Sequence, residues 1–212
     1  MRPTGKKDTP GRRLARGLLL LYEDRDILVV DKPAGLLSIA AGAEREKTAY
    51  WTLAEYLRKK GEKRRPAVVH RLDRDTSGLM VFAKSEAAKK KLMENWENAV
   101  IRRRYIALAE GEFPRNKGGG ADEEPREGSD SGIIDEPLGE DGGGRVIVKA
   151  GGRRACTRWE LLGRGNGYSL LALELETGRR NQIRAHLFFM GCPIAGDKKY
   201  GARTNPLDRL AL

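Results

Sequence analysis

The chain has 212 residues, of which 39% are hydrophobic and 33% charged, and its formal net charge is +11. This length suits one medium domain or two fused halves with a substantial core. Cys156 and Cys192 lie far apart, so neither a disulfide framework nor a structural zinc site is indicated, and a reducing cytoplasm is expected. No apolar run approaches the roughly 20 residues of a membrane helix. The positive charge favours a polyanionic partner, although a basic surface without one would give the same charge.

The first part of the chain predicts a basic tail, a hairpin and two helices. Residues 1–15 are expected to form a flexible basic tail, with the folded domain spanning residues 16–212. Leu18–Tyr22 and Ile27–Asp31 are short apolar runs separated by four charged residues, which is typical of a hairpin. The first helix is capped by Thr48 and the second begins at Ser85; the apolar faces expected to be buried are Tyr50, Leu53, Ala54 and Leu57, and Ala88, Leu92, Trp96 and Val100.

The remaining segments predict mainly strands. These are Ala67–His70, Leu79–Ala83, Tyr105–Ala109, Arg145–Ala150, Cys156–Leu162 and Tyr168–Glu176, followed by a helix over Arg179–Met190. Residues 114–131 are rich in glycine and acidic side chains and are expected to be a mobile insertion. The order of elements predicts an α+β protein with a central, mostly antiparallel mixed sheet flanked by helices and loops, and it argues against a doubly wound parallel sheet.

Reactive side chains are concentrated in the polar connection at residues 70–78. This segment, His-Arg-Leu-Asp-Arg-Asp-Thr-Ser-Gly, holds two candidate carboxylates, Asp73 and Asp75. Thr76 and Ser77 are able to hydrogen-bond the local backbone and fix the shape of the loop. Rigid flanking strands often present reactive groups on such a loop. A polar turn with surface salt bridges fits the residues equally well.

The predicted helix over Arg179–Met190 is the second informative segment. Arg180, Arg184 and Phe188 fall on one face at a spacing of four, beside the apolar Ile183 and Leu187. An arginine between apolar neighbours is suited to pair with a carboxylate at the edge of a core. An ordinary amphipathic basic helix has the same pattern.

Together these segments resemble the RluA-type family of RNA pseudouridine synthases. Its hallmark is His-Arg-Leu-Asp, two variable residues and Thr-Ser-Gly, and residues 70–78 match each fixed position. Three further blocks are similar to the family pattern in the same order: residues 31–36 (Asp-Lys-Pro-Ala-Gly-Leu), residues 178–186 (Gly-Arg-x-x-Gln-Ile-Arg-x-His) and residues 196–201 (Gly-Asp-x-x-Tyr-Gly). The resemblance covers about residues 18–208 and implies the pseudouridine synthase catalytic fold.

The resemblance implies a role for each residue of the candidate site. Asp73 would be the essential carboxylate, Arg184 would hold it ionised, and Tyr105 would stack on the base and help to remove the C5 proton. Arg71 would fill the space that a flipped uridine leaves in the RNA, and Ile183 and Leu187 would form an apolar floor. His70, Thr76 and Arg180 complete the expected substrate contacts. Whether Asp73 attacks C1′, adds to C6 or promotes elimination to a glycal stays open.

The same resemblance implies isomerisation of specific uridines in ribosomal or transfer RNA without a cofactor. No metal, no membrane partner and a monomeric protein are expected as well. Two features depart from the family. Arg180-Asn181 stands where many members have Thr-His, and the chain stops at Leu212, where members usually continue. The C-terminus is therefore expected to be short.

Three other functions fit the sequence less well. A catalytically silent RNA-binding protein would need no carboxylate, whereas Asp73, Tyr105 and Arg184 are all present. A metal-dependent hydrolase would use His70, Asp73 and His186, but no metal-ligand spacing is evident. A nucleotide-binding role for Gly163-x-Gly165-x-Gly167 is weaker, because this segment leads into a strand instead of a helix.

Overall fold

The structure is a computed structural model that describes residues 11–42, 44–96, 102–114 and 130–212. The chain divides into two compact units, Met1–Ala99 and Val100–Leu212. Both combine antiparallel strands with short helices, which confirms the predicted α+β class. In the described ranges, no helix has the length and apolar character needed to cross a membrane.

The first unit contains a five-stranded antiparallel sheet. Its order is β1 (Arg12–Arg13), β2 (Leu19–Glu23), β3 (Ile27–Lys32), β5 (Gly78–Ala83) and β4 (Ala67–Val68). β2 and β3 form the predicted hairpin, and Asp24 closes it by accepting hydrogen bonds from the N–H groups of Asp26 and Ile27 at 2.7 Å each. Alternate side chains of β3 and β5, including Leu28, Val30, Met80 and Phe82, are fully buried, as the period of two in a strand requires.

Two helices in this unit begin at the predicted caps. In α1 (Ala49–Lys59) the Thr48 hydroxyl accepts a hydrogen bond from the N–H of Trp51, and in α2 (Glu86–Glu94) the Ser85 hydroxyl accepts one from Ala88. Each cap satisfies an N–H group that the first helical turn leaves without a partner.

The faces that these helices bury differ from the prediction. α1 buries Ala49, Thr52, Leu53 and Leu57, whereas Tyr50 and Ala54 are only half-buried. The buried face of α1 is thus rotated about the helix axis relative to the predicted one, and it includes Thr52 in place of an apolar residue. The Thr52 hydroxyl donates to the backbone oxygen of Thr48 at 2.9 Å, which makes its burial inexpensive. α2 buries no side chain completely; Ala88, Leu92 and Trp96 are half-buried, and Val100 lies outside the described residues.

The second unit contains a four-stranded and a two-stranded antiparallel sheet. The larger has the order β6 (Arg104–Glu110), β11 (Tyr168–Leu175), β10 (Cys156–Gly165) and β7 (Ser131–Asp135), and the smaller pairs β8 (Leu138–Glu140) with β9 (Val146–Val148). The helix α3 (Gln182–Phe189) contacts β9 and β10. Its Ile183 and Leu187 belong to the same core cluster as Ala107, Leu171 and Leu173.

Several predicted boundaries were wrong for identifiable reasons. The tail was expected to reach residue 15, but Arg12–Arg13 pair with β2; residues 1–10 lie outside the described part. The strand predicted to reach His70 ends at Val68, because the His70 ring accepts the N–H of Val81 at 3.0 Å in place of a strand partner. The last helix begins at Gln182 instead of Arg179, since Asn181 has a left-handed backbone with φ of 53°.

Three strands, β1, β7 and β8, were not predicted; β1 lies in the segment that was expected to be the basic tail. β7 begins at Ser131, inside the range assigned to the insertion, and residues 115–129 of that range lie outside the described part. The described strands belong to three sheets, in each of which the neighbours are antiparallel.

Candidate active site

The backbone of the loop at residues 70–78 is held by side chains that are distant in sequence. The Ser38 hydroxyl donates to the backbone oxygen of Leu72 at 2.6 Å and accepts the N–H of the same residue at 3.2 Å. The N–H of Gly35 donates to the backbone oxygen of Arg74 at 2.9 Å. Gly35 has a φ of 83°, which glycine adopts without strain, so the turn at residues 33–36 is shaped to meet this loop.

Lys32 lies beneath the same loop and is completely buried. Its ammonium donates to three backbone oxygens, those of Pro33 at 3.0 Å, Leu36 at 2.7 Å and Arg74 at 3.0 Å. Burial lowers the pKa of Lys32 to about 8, although the nearby carboxylates of Asp75, Asp73 and Asp31 oppose this shift. The lysine therefore supplies three hydrogen bonds to the backbone. Its positive charge also attracts the carboxylates of Asp73 and Asp75.

The side chains of the loop differ in exposure. Asp73 and Asp75 are half-buried, Arg71 is exposed and Thr76 is buried. Arg74 reaches the Asp75 carboxylate, with 3.1 Å between Nε and Oδ1. Asp73 is therefore held on a fixed loop without being removed from solvent.

The His70 ring acts within the first unit as a structural hydrogen-bonder. It accepts from the N–H of Val81 and its centroid lies 5.2 Å from that of the Trp96 ring. A ring nitrogen that accepts from a backbone N–H cannot at the same time bind substrate through that atom. The predicted substrate contact of His70 is thus not supported through Nε2.

In the second unit, the Arg184 guanidinium forms a buried, bidentate ion pair with Asp197. Nε and Nη2 each lie 2.7 Å from a carboxylate oxygen, and the two side chains are 9% and 0% exposed. Nη1 donates to the Asn181 side chain at 3.3 Å. Parallel charge-assisted bonds of this kind fix the plane of the guanidinium as well as its position.

Tyr200 completes this cluster. Its ring lies 5.1 Å from the Arg184 guanidinium carbon, and its hydroxyl donates to the backbone oxygen of Val146 at 2.7 Å. Asp197 accepts the N–H of Tyr200 at 3.3 Å, which links the pair to the turn at residues 196–201. Gly196 has a φ of 79°, and a side chain there would collide with the Arg209 backbone, so the glycine of this motif is required sterically.

Two further side chains of α3 attach this helix to β10. The Gln182 amide donates to the Cys156 backbone oxygen and the Thr157 hydroxyl at 2.9 Å each. The His186 ring bonds the Thr157 hydroxyl at 2.8 Å and the Glu136 backbone oxygen at 3.0 Å. Burial lowers the pKa of His186, which favours the neutral ring. Gln182 and His186 of the Gly-Arg-x-x-Gln-Ile-Arg-x-His motif thus position the helix that carries Arg184.

The other predicted residues of this unit have different surroundings. Tyr105 is half-buried on β6 and packs against the main core cluster. Ile183 and Leu187 are 4% and 0% exposed within that core, so they support α3 and present almost no surface to a base. Arg180 is partly exposed, pairs with Glu140 at 2.9 Å and donates to the Gly144 backbone oxygen.

Sequence reasoning assigned no role to Lys32 or Asp197, although both lie in segments that it matched to the family. Their position in the sequence could have indicated a role, because each is a charged residue in a short family motif that contains a glycine turn. Among the described residues, no three His, Cys, Asp or Glu side chains are grouped so that they could hold a metal ion.

Comparisons with known proteins agree with the hallmark loop. A family model described as RNA pseudouridylate synthase matches residues 26–188. A Bacillus subtilis protein named as the uncharacterized RNA pseudouridine synthase YlyB is 35% identical over 189 residues, covering 87% of this chain and 58% of the relative. The ribosomal large subunit pseudouridine synthase D of Pseudomonas aeruginosa is 34% identical over 202 residues, covering 93% of this chain and 58% of the relative.

A solved structure gives the same result. The human RNA pseudouridylate synthase domain containing 4 superimposes with a TM-score of 0.64 at 25% identity, over 91% of this chain and 70% of the human one. The chain spans about three fifths of the length of the two bacterial relatives. A match over residues 26–188, together with these identities, shows that the chain belongs to the RNA pseudouridylate synthase family.

Proposed function

We propose that this protein isomerises uridines in RNA to pseudouridine, with Asp73 as the catalytic carboxylate. The observation that carries the proposal is the loop at residues 70–78. Its sequence matches the family hallmark, and its backbone is fixed from below by Ser38 and Lys32 while Asp73 stays half-buried. Large-subunit ribosomal RNA is the proposed substrate, because the Pseudomonas aeruginosa relative carries that name; transfer RNA is the alternative.

The reaction breaks the C1′–N1 bond of uridine, turns the uracil and forms a C1′–C5 bond. The proton lost from C5 is balanced by one gained at N1, so no oxidant, reductant or cofactor is required. The Asp73 carboxylate would act as nucleophile or as electrostatic partner of the sugar or base. The positive charge of Lys32 beneath the loop favours its ionised form.

Tyr105 and Arg184 are proposed as the further catalytic residues on the strength of the family resemblance. Tyr105 would stack on the uracil and assist removal of the C5 proton, and stacking returns roughly 1–3 kcal/mol toward the cost of flipping a base. Arg184 has its orientation set by Asp197, so the charge it contributes is in a fixed position. Arg71 and Arg180 are proposed substrate contacts, whereas Thr76 is buried and presents almost no surface to RNA. Both cysteines are buried free thiols, which supports the proposed cytoplasmic location.

Tritium release from C5-labelled uridine in ribosomal RNA tests the activity directly. The wild-type protein should release tritium and continue to do so with a chelator present. Asp73→Asn keeps the size and polarity of the side chain, so it should retain RNA affinity and lose turnover by at least about a thousandfold, as expected for removal of an essential carboxylate. Asp75→Asn, on the same loop, is the matched control and should keep most of the activity. Turnover that persists in Asp73→Asn would refute the assignment.

Pseudouridine mapping of RNA from cells with and without the gene would identify the modified nucleotide.

A further inference from the structure

A cationic groove lies in the first unit, between the segment at residues 12–15 and α1. Its volume is about 590 Å³. Four positive side chains and one carboxylate line it beside two aromatic rings: Arg12, Arg13, Lys59, Lys60 and Glu55, with Trp51 and Tyr56. None of these residues belongs to the loop at residues 70–78 or to its supports.

The cations of the groove are arranged on aromatic rings. The guanidinium carbon of Arg12 lies 5.2 Å from the centre of the Tyr56 ring, and the ammonium of Lys60 lies 5.8 Å from the same ring. Just beyond the lining residues, Arg16 is placed over Trp51 at 5.5 Å. These contacts hold charged groups along the groove without neutralising them, since an aromatic ring attracts a cation but carries no net charge.

The acidic side chains nearby already have partners. Glu55 pairs with Arg58 on the same helix at 2.7 Å. Glu23, which bonds the Tyr56 hydroxyl at 2.6 Å, also pairs with Lys60 at 2.8 Å and with Lys84 at 2.7 Å. Arg13 and Lys59 line the groove, are exposed and contribute positive charge to it. The groove therefore has a net positive charge even when these ion pairs are included.

We propose that this groove binds the sugar–phosphate backbone of an RNA strand, as a second RNA contact separate from the loop that carries Asp73. The inference rests on the proposed function, since it takes RNA as the substrate. Phosphates would bind Arg12, Arg13 and Lys59, which contact the backbone of the strand without reading its bases. A second contact on the same RNA strengthens binding without changing the chemical step, so it lowers KM and leaves kcat unchanged.

Binding of a fluorescent oligoadenylate of about 12 nucleotides, within the range that one single-strand groove covers, tests the proposal. The variant Arg13→Gln/Lys59→Gln removes two exposed charges from the groove. The matched control Lys90→Gln/Lys91→Gln removes two exposed charges from α2 of the same unit. In about 0.1 M salt the groove variant should raise the Kd roughly tenfold, and its log–log salt dependence should become less steep by about 1.4, because each phosphate contact on a single strand contributes about 0.7.

The proposal requires the control variant to stay within about twofold of wild type in Kd, because its lysines lie outside the groove. Equal weakening in the two variants would overturn it in favour of a generally basic surface, and so would an unchanged Kd in the groove variant. Displacement of the oligonucleotide by polyglutamate at equal charge concentration would overturn it in favour of an acidic protein partner.

Turnover gives an independent readout. In tritium release from ribosomal RNA, the groove variant should show a raised KM with kcat unchanged. The oligoadenylate contains no uridine, so its binding is measurable whether or not the protein forms pseudouridine. Failure to release tritium would sink the proposed function alone, and failure to distinguish the two charge variants would sink the groove alone.

Discussion

The two units fix their candidate catalytic residues in different ways. In the first, Ser38 and Lys32 bind backbone atoms of the loop at residues 70–78, the loop that carries Asp73. In the second, the Arg184 side chain is itself bonded, by Asp197 at both ends of its guanidinium fork. The first arrangement positions a carboxylate through its backbone, whereas the second positions a guanidinium through its charge.

Because of this difference, substitutions in the two units should affect turnover and stability differently. A change at Asp73 that keeps its shape should leave the loop intact, so its effect should be confined to turnover. A change at Arg184 or Asp197 removes half of a buried ion pair, so lost activity there would partly report a weakened fold. Stability measurements are therefore needed before any loss of turnover at Arg184 is assigned to catalysis.

The largest effect on stability is expected from Asp197→Ala. It leaves the Arg184 guanidinium buried without its carboxylate, and removal of one partner of a buried pair costs about 3–5 kcal/mol. Denaturant unfolding measures this loss. The double variant Arg184→Met/Asp197→Leu removes both charges and should recover most of the stability while remaining inactive. If the single variant is as stable as wild type, the pair does not hold the second unit together.

Patterns with a local cause were predictable from the sequence. The caps at Thr48 and Ser85 and the hairpin closed by Asp24 depend on residues within four positions of one another, and all three were confirmed by the structure. The family was also predictable, because the hallmark motif at residues 70–78 resembles the family that the comparisons show.

Contacts that depend on tertiary placement were not predictable. Lys32 beside Pro33 reads as a solvated charge, and its burial depends on a backbone oxygen at position 74, which lies 42 residues away. The partner of Arg184 depends on the turn after α3, although Asp197 stood in a segment already matched to the family. β7 was missed because Ser131–Asp135 contains only two large apolar residues and follows a stretch without any.

The next largest effect is expected from Lys32→Met. This change removes three hydrogen bonds to backbone oxygens, which should cost about 2–3 kcal/mol at neutral pH. The pKa of Lys32 is about 8 in the folded protein against 10.5 for an ordinary lysine. Between these values the unfolded chain keeps a proton that the folded chain has released, so this group adds stability as the pH rises.

Unfolding free energies at pH 7.5 and pH 10 test this comparison. Wild type should gain stability relative to Lys32→Met over that interval. Lys47→Met, an exposed lysine of the same unit, is the control and should show no such pH dependence. A constant difference between wild type and Lys32→Met would argue that the ammonium does not titrate in this range.

A smaller effect is expected from acid titration of Glu23. Burial by itself raises the pKa of this carboxyl, but hydrogen bonds from Lys60, Lys84 and Tyr56 outweigh it and bring the pKa to about 2, against 4.5 ordinarily. The contribution to stability is therefore complete above pH 4.5 and is lost as the pH falls through about 2. Glu23→Gln should cost about 2 kcal/mol at pH 7, and the difference from wild type should shrink steadily below pH 4.5. A difference independent of pH would mean that packing alone, and not charge, makes Glu23 stabilising.

The smallest change in stability is expected from Ser38→Ala. This variant tests directly whether the backbone contacts of the loop position Asp73. It removes one hydroxyl and leaves both the N–H and the backbone oxygen of Leu72 without that partner, at a cost of about 1–2 kcal/mol. Ser85→Ala is matched to it, because the lost hydroxyl caps α2 and costs about 1 kcal/mol. If the backbone contacts of the loop position Asp73, Ser38→Ala should lower kcat several-fold at constant RNA affinity, whereas Ser85→Ala, at nearly the same stability, should keep the wild-type kcat. Equal kcat values in the two variants would show that the hydroxyl under Leu72 stabilises the first unit without orienting its carboxylate.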